Sequence, residues 1–146
     1  MTDLDHRVEL LRKVWLFSNC TEDELARVAG LATTREVKKG EQLFAEGDPG
    51  EEFYVIVEGT ADAIVDGDKL GDLDAGDFFG EMALIDGGER TATVVSTSPM
   101  SLLVLSRNDF NTMLSTAMPH VAPKLMQVMG QRIRELQKHA GGPLPW

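Results

Sequence analysis

An α+β domain is the fold this 146-residue sequence predicts: an antiparallel β-jelly-roll barrel with helices before and after it in the chain. Three observations lead there. Apolar residues recur at helical spacing over 3–32 and again over 106–139. Between them, over 33–105, short alternating runs are separated by Gly and Asp at close intervals, which is strand-and-turn chemistry. The length suits one domain, since domains cluster near ~100–150 residues and bury roughly 68–70% of their unfolded surface without disulfides. The hydrophobic fraction of 42% and charged fraction of 26% are those of an ordinary globular protein.

Each element has its own signal. Leu4, Val8 and Leu11 mark one face of a first helix, and Leu16-Phe17 lead into a break at Ser18-Asn19-Cys20. Thr21 and Glu24 form a capping box for a second helix carrying Leu25, Val28 and Ala29, with Gly30 at its end. Phe53-Tyr54-Val55-Ile56-Val57 is the strongest strand. Ala61, Ala63 and Val65 alternate with Asp62 and Ile64, and Asp66-Gly67 supplies a tight hairpin turn. Thr91–Ser96 and Ser101–Leu105 are two more strands, parted by Ser98-Pro99. Closing such strands into a barrel removes exposed edges. Ser106, with Asp109 completing the cap, starts a helix through Phe110, Met113 and Leu114. Pro119 and Pro123 sit in the opening of a longer helix. Its apolar stripe is Val121, Leu125, Val128, Met129, Ile133 and Leu136, and Met126 is read with Met129 as packing residues. Residues 140–146 read as an irregular tail.

Charge and composition exclude several function classes. The net charge is −10, from 14 Lys+Arg against 24 Asp+Glu. That opposes a broad nucleic-acid surface or an anionic membrane surface. Apolar runs fall short of the ~20 residues of a spanning helix, and Met1–Arg12 is charged throughout, unlike a signal peptide. A cytoplasmic location is expected. Cys20 stands alone, so it reads as a small buried hydrophobe rather than a disulfide or zinc ligand. Asp66-Gly67-Asp68 and Asp72-Leu73-Asp74 lack the Glu of a calcium loop and read as turns. His6, His120 and His139 lie outside the strand region, which argues against a metal-dependent enzyme of the cupin type.

One stretch breaks the alternation. Residues 78–93, from Phe78-Phe79-Gly80 to Arg90-Thr91-Ala92-Thr93, are too apolar for a surface loop and too short for an ordinary helix. Glu81-Met82-Ala83-Leu84-Ile85 favour one or two helical turns, whose first N–H groups lack intrahelical partners. Gly80 permits close backbone approach. Arg90, after Gly87-Gly88, can return toward that helix start and offer a planar fork to two oxygens. Glu81 beside an anion must face elsewhere, for example toward hydroxyls. Together these describe a sugar phosphate site.

The segment strongly resembles the phosphate-binding cassette of cyclic nucleotide-binding domains, as in catabolite activator proteins and protein kinase A regulatory subunits. Gly80-Glu81-Met82-Ala83-Leu84 and Arg90-Thr91-Ala92 match that cassette, which spans 80–93. The resemblance extends to Gly40, Glu46-Gly47-Asp48, Phe53-Tyr54-Val55-Ile56 with Gly59, and Gly76-Asp77-Phe78, and covers 16–136. It implies a double-stranded β-helix with a C-terminal lid helix, and a non-catalytic sensor of cAMP, with cGMP possible. Arg90 would pair with the exocyclic phosphate oxygens and Glu81 would accept the ribose 2′-hydroxyl. The N–H groups of Ala83 and Thr91 would complete the cradle, which Met82 and Ala92 flank. Arg132 and Leu136 would lie beside the base, Leu136 as an apolar lid. No cofactor is implied. The last helix could meet a second copy or an effector protein. The alternative is a degenerate pocket, with Arg90 bridging to Glu81 or Asp86, in a ligand-independent interaction module.

Overall fold

The structure, a computed structural model, describes residues 3–139; the expected tail 140–146 lies outside the described residues. In chain order the elements are α1 (Asp3–Arg12), a 3-10 turn (Trp15–Phe17), α2 (Glu22–Leu31), β1 (Thr33–Val37), β2 (Gln42–Phe44), β3 (Glu52–Glu58), β4 (Ala61–Val65), β5 (Asp68–Leu73), β6 (Phe78–Phe79), α3 (Glu81–Asp86), β7 (Thr93–Ser96), β8 (Met100–Ser106) and α4 (Arg107–His139). The strands form two four-stranded antiparallel sheets, ordered β1-β8-β3-β6 and β2-β7-β4-β5. This is the jelly-roll arrangement the sequence predicts.

The first sheet is covered on both faces, which explains why its central strands are apolar at every position. Phe53 and Val55 of β3, with Leu103 and Leu105 of β8, face a core shared with Leu11, Phe17, Leu25, Phe110 and Val121 of the helices. Their neighbours Tyr54, Ile56, Leu102 and Val104 point the other way, into the barrel interior with Phe79 and Val94. Each fully buried side chain of this size contributes about 1.5–3 kcal/mol. Phe53 meets Phe110 with ring centroids 4.8 Å apart and Phe78 at 5.6 Å, so α4 is seated directly on the sheet.

Local signals act as expected at several termini. Thr21 Oγ1 accepts the N–H of Glu24 and Glu24 Oε1 accepts that of Thr21, a complete capping box. At the other end of α2, Arg7 donates to the carbonyls of Ala29 and Ala32 at 3.1 and 2.8 Å, satisfying groups the helix leaves open. Asp66 and Gly67 adopt φ of 52° and 81°, the hairpin conformation their sequence favours.

Elsewhere tertiary packing corrects the sequence reading. Leu4 is exposed, because only Val8 and Leu11 of α1 reach the core. Gly30 lies inside α2, which continues through Leu31 to an Ala32 cap. The strand expected from Thr91 begins at Thr93, since Thr91 and Ala92 line a cavity instead. The two expected C-terminal helices join into one 33-residue element, broken at Ala117 with φ −117° and ψ 17°. Pro119 opens the second half, while Pro123 lies within it, where it cannot donate to the carbonyl one turn back. Along that half Val121 and Leu125 are buried and Ile133 is exposed. Met126 is 69% exposed and packs in no core. Cys20 is half-buried rather than buried, and burial pushes its thiol pKa up.

Candidate functional site

The site grows from the short link between β6 and β7. Gly80 takes φ 89°, ending β6 and starting the six-residue α3 in one step. A Cβ on Gly80 would lie 2.7 Å from Arg90 Nη1 and 2.9 Å from the Glu52 carbonyl oxygen, so the position has room for glycine alone. Leu84 anchors α3 in the helix-side core. Gly87, at φ 70°, then turns the chain back toward Arg90.

Arg90 is buried, with 5% of its surface exposed. Its backbone is locked to the preceding loop: Arg90 N–H donates to the Asp48 carbonyl at 2.7 Å, and Gly47 N–H donates to the Arg90 carbonyl at 2.9 Å. Nη1 donates to the Gly80 carbonyl at 3.0 Å and Nη2 to the Glu52 carbonyl at 2.9 Å. The guanidinium lies over the Phe44 ring, 4.1 Å from its centroid. Nε has no hydrogen-bond partner. Burial, only partly opposed by Tyr54 and nearby carboxylates, holds the guanidinium below its ordinary pKa. A buried cation held by carbonyls and a ring, with its Nε unpartnered, is arranged to meet an anion. The expected alternative of a bridge from Arg90 to Glu81 is not what forms; the Asp86 side chain lies outside the described residues.

Glu81 faces the opposite way. Only 1% of its surface is exposed, and its Oε1 accepts Arg132 Nη1 at 2.5 Å. Arg132 Nη2 donates to the Phe78 carbonyl at 2.5 Å, and its guanidinium lies 5.1 Å from the Phe78 ring centroid. Thus α4 reaches across to α3 through one buried carboxylate. An ionised carboxylate offers about four acceptor positions, so the pair leaves Glu81 able to accept a hydroxyl as well.

All nine residues singled out in the sequence converge on one cavity of about 350 Å³. Gly80, Glu81, Met82, Ala83, Arg90, Thr91 and Ala92 form one wall, and Arg132 and Leu136 of α4 form the roof. The volume is in the range of small-ligand sites. Apolar side chains of the barrel, including Val65, Leu73 and Val94, complete it. Thr91 Oγ1 has a weak contact with Met82 Sδ at 3.8 Å.

Three contributors escape sequence reasoning. Phe44 supports Arg90 from β2, far away in the chain. Glu52 acts through its carbonyl oxygen, which no side-chain pattern reveals. Gly50 is closely packed: a Cβ there would lie 2.3 Å from Ala83 Cβ and 3.3 Å from Arg90 Cζ. The run Glu46-Gly47-Asp48-Pro49-Gly50 signals a turn, yet nothing in it says that the turn carries an arginine 40 residues on.

The barrel thus sets a buried arginine beside a cavity roofed by α4. The family model for the cyclic nucleotide-binding domain matches residues 34–117, more than half of the chain, and the chain belongs to that family. A cAMP-dependent protein kinase regulatory subunit of Hypocrea atroviridis is 33% identical over 104 residues, 71% of this chain and 22% of that protein. A putative potassium channel protein of Rhodopseudomonas palustris is 32% identical over 126 residues, 84% of this chain and 30% of its own length. Among solved structures, a protein kinase A regulatory domain bound to Sp-2Cl-cAMPS superposes with TM-score 0.83 at 21% identity, covering 97% of this chain and 94% of the other. The catabolite activator protein of Thermus thermophilus gives 0.73 at 29% identity over 86% and 61%. The regulatory subunit of a cAMP-independent protein kinase A from Trypanosoma brucei gives 0.79 at 20% identity over 88% and 46%. The chain therefore spans less than a third of either curated relative, and the last structure shows that this fold also occurs in a protein described as cAMP-independent. No helix among the described residues is long and apolar enough to cross a membrane.

Proposed function

We propose that this chain binds a 3′,5′-cyclic nucleotide, cAMP in preference to cGMP, as a regulatory sensor without catalysis. The observation that carries this reading is the buried Arg90 guanidinium with an unpartnered Nε beside the cavity. A cyclic phosphate at that wall meets Arg90 and the N–H groups of Ala83 and Thr91. The ribose 2′-hydroxyl reaches Glu81, and the base lies under Leu136 and beside Arg132. A solved relative bound to the cAMP analogue Sp-2Cl-cAMPS favours cAMP.

Response follows from α4. Its roof residues share one helix with the break at Ala117 next to Pro119, a place where the second half can change its angle. Arg132 couples that half to Glu81, so whatever engages Glu81 also acts on the roof. Closure of α4 over the base shifts a two-state equilibrium only by the difference in affinity between the states. The altered helix face is then offered to a second copy or an effector protein.

A second reading, a ligand-independent interaction module, is favoured by the cAMP-independent relative. Thermal unfolding with cAMP, with cGMP and without ligand separates the two. A ligand at 100 times its Kd adds ~2.7 kcal/mol, a rise of about 5–10 °C in Tm for a domain of this size. An unchanged Tm with both nucleotides supports the interaction module.

A further inference from the structure

Arg90 has carboxylates around it, and each is engaged by a different arginine. The groups that oppose the effect of burial on its guanidinium are Tyr54 and then the carboxylates of Glu52, Glu81 and Glu51. Glu52 pairs with Arg35 at 3.0 Å, Glu81 with Arg132 at 2.5 Å and Glu51 with Arg107 at 3.7 Å. Among the described residues no carboxylate pairs with Arg90, whose side chain donates to two carbonyls. Glu52 is held by the most bonds. Arg35 Nη2 donates to both of its carboxylate oxygens, at 3.0 and 3.1 Å, and the Tyr54 hydroxyl donates to Oε1 at 2.9 Å. The backbone carbonyl of the same residue accepts Arg90 Nη2 at 2.9 Å, so this carboxylate belongs to a residue already touching the guanidinium. Arg35 reaches it from β1 across β8, because the sheet runs β1-β8-β3. The Tyr54 ring centroid lies 5.6 Å from the Arg35 guanidinium carbon and 5.8 Å from that of Arg90, which makes the four residues one cluster.

We infer that Arg35 is a positioning residue for the phosphate site: together with Tyr54 it holds the Glu52 carboxylate away from Arg90, which keeps that guanidinium for an incoming anion. The inference rests on the cyclic-nucleotide reading above and adds to it a residue that lines no part of the main cavity. An ionised carboxylate only accepts hydrogen bonds, and it fits an arginine fork as a phosphate does. Released from Arg35, the Glu52 carboxylate therefore competes with the ligand for the same donors. It does so from a tether beside the guanidinium, where its effective concentration is high. The Arg35 and Glu52 side chains are 39% and 35% exposed, so their bridge adds little to folding. Its consequence lies in where it keeps the negative charge.

The test is a double-mutant cycle on the full chain. Affinities for cAMP and cGMP are measured by calorimetric titration on the parent, Arg35→Gln, Glu52→Gln and the double variant, beside thermal unfolding of the ligand-free samples. Arg35→Gln should weaken binding roughly tenfold. Glu52→Gln should bind within about threefold of the parent, and adding it to Arg35→Gln should bring affinity back to within about threefold of the parent. All three variants should melt within about 5 °C of the parent. Arg35→Lys keeps the charge without the fork and should fall between the parent and Arg35→Gln. A merely structural bridge predicts the opposite for the double variant, which lacks the bridge as well and would bind as weakly as Arg35→Gln. If Arg35→Gln does not fold, Tyr54→Phe removes one bond to Glu52 and should weaken binding about threefold, again restored by Glu52→Gln. An Arg35→Gln chain with the parent's affinity, or a double variant as weak as Arg35→Gln, overturns the inference and leaves the proposed function standing. A parent that binds neither nucleotide overturns both.

Discussion

Replacing Arg90 by alanine removes a guanidinium that is 5% exposed, donates to two carbonyls and covers one ring. For folding, the losses and gains nearly offset. Two hydrogen bonds from a charged donor are worth about 1.5–3 kcal/mol each, and the ring contact adds about 0.5–2 kcal/mol. Against them stands relief from burying a charge, which costs several kcal/mol. Net stability should therefore move by no more than about 2 kcal/mol. Ligand binding has no such offset, because truncating one partner of a desolvated charge pair costs about 2–5 kcal/mol. That is a loss of about 30-fold to several-thousand-fold in affinity. Calorimetric titration with cAMP, beside thermal unfolding of the same samples, reads both quantities. Arg90→Lys should fall between, since a point charge cannot hold both carbonyls and also present a fork. A folded Arg90→Ala chain that binds cAMP within threefold of the parent would refute the assignment.

Three further outcomes follow from the geometry. Arg132→Ala leaves the Glu81 carboxylate buried without its partner; such breaks cost about 3–5 kcal/mol in full burial. With Arg132 about a quarter exposed, a loss of about 2–3 kcal/mol is expected, recovered in part by adding Glu81→Gln in a denaturant double-mutant cycle. Gly50→Ala drives a Cβ into Ala83 and should cost about 1–3 kcal/mol; Ala83→Gly should restore it, as thermal melts will show. The capping carboxylate of Glu24 is held below the ordinary carboxylate range, chiefly by the backbone N–H of Thr21. Its stabilisation is present above the unfolded pKa of about 4.3 and fades as pH falls through the lower folded value. Glu24→Gln should flatten that acid limb in a plot of Tm against pH.

What the sequence determined by itself was local or ordered along the chain. The capping box at Thr21, the Asp66-Gly67 turn and the Ser106 cap depend on residues a few positions apart, and each forms as read. The cassette was legible because Gly80, Glu81 and Arg90 lie within one short segment whose spacing is itself the signal. Even Arg132 and Leu136, more than forty residues beyond Arg90, reach the cavity roof. Tertiary structure alone decided what supports those residues. Phe44 meets Arg90 because β2 and β7 pair, and Glu52 contributes a backbone oxygen, a group that every residue carries and no sequence pattern distinguishes. Exposure along α4 was likewise settled by where the sheet ends: the same apolar stripe that buries Val121 and Leu125 leaves Ile133 in solvent. The net charge of −10 shows the division most clearly. Composition spoke against broad anionic surfaces, while only the packed loops could show one buried cation, Arg90, beside a roofed cavity.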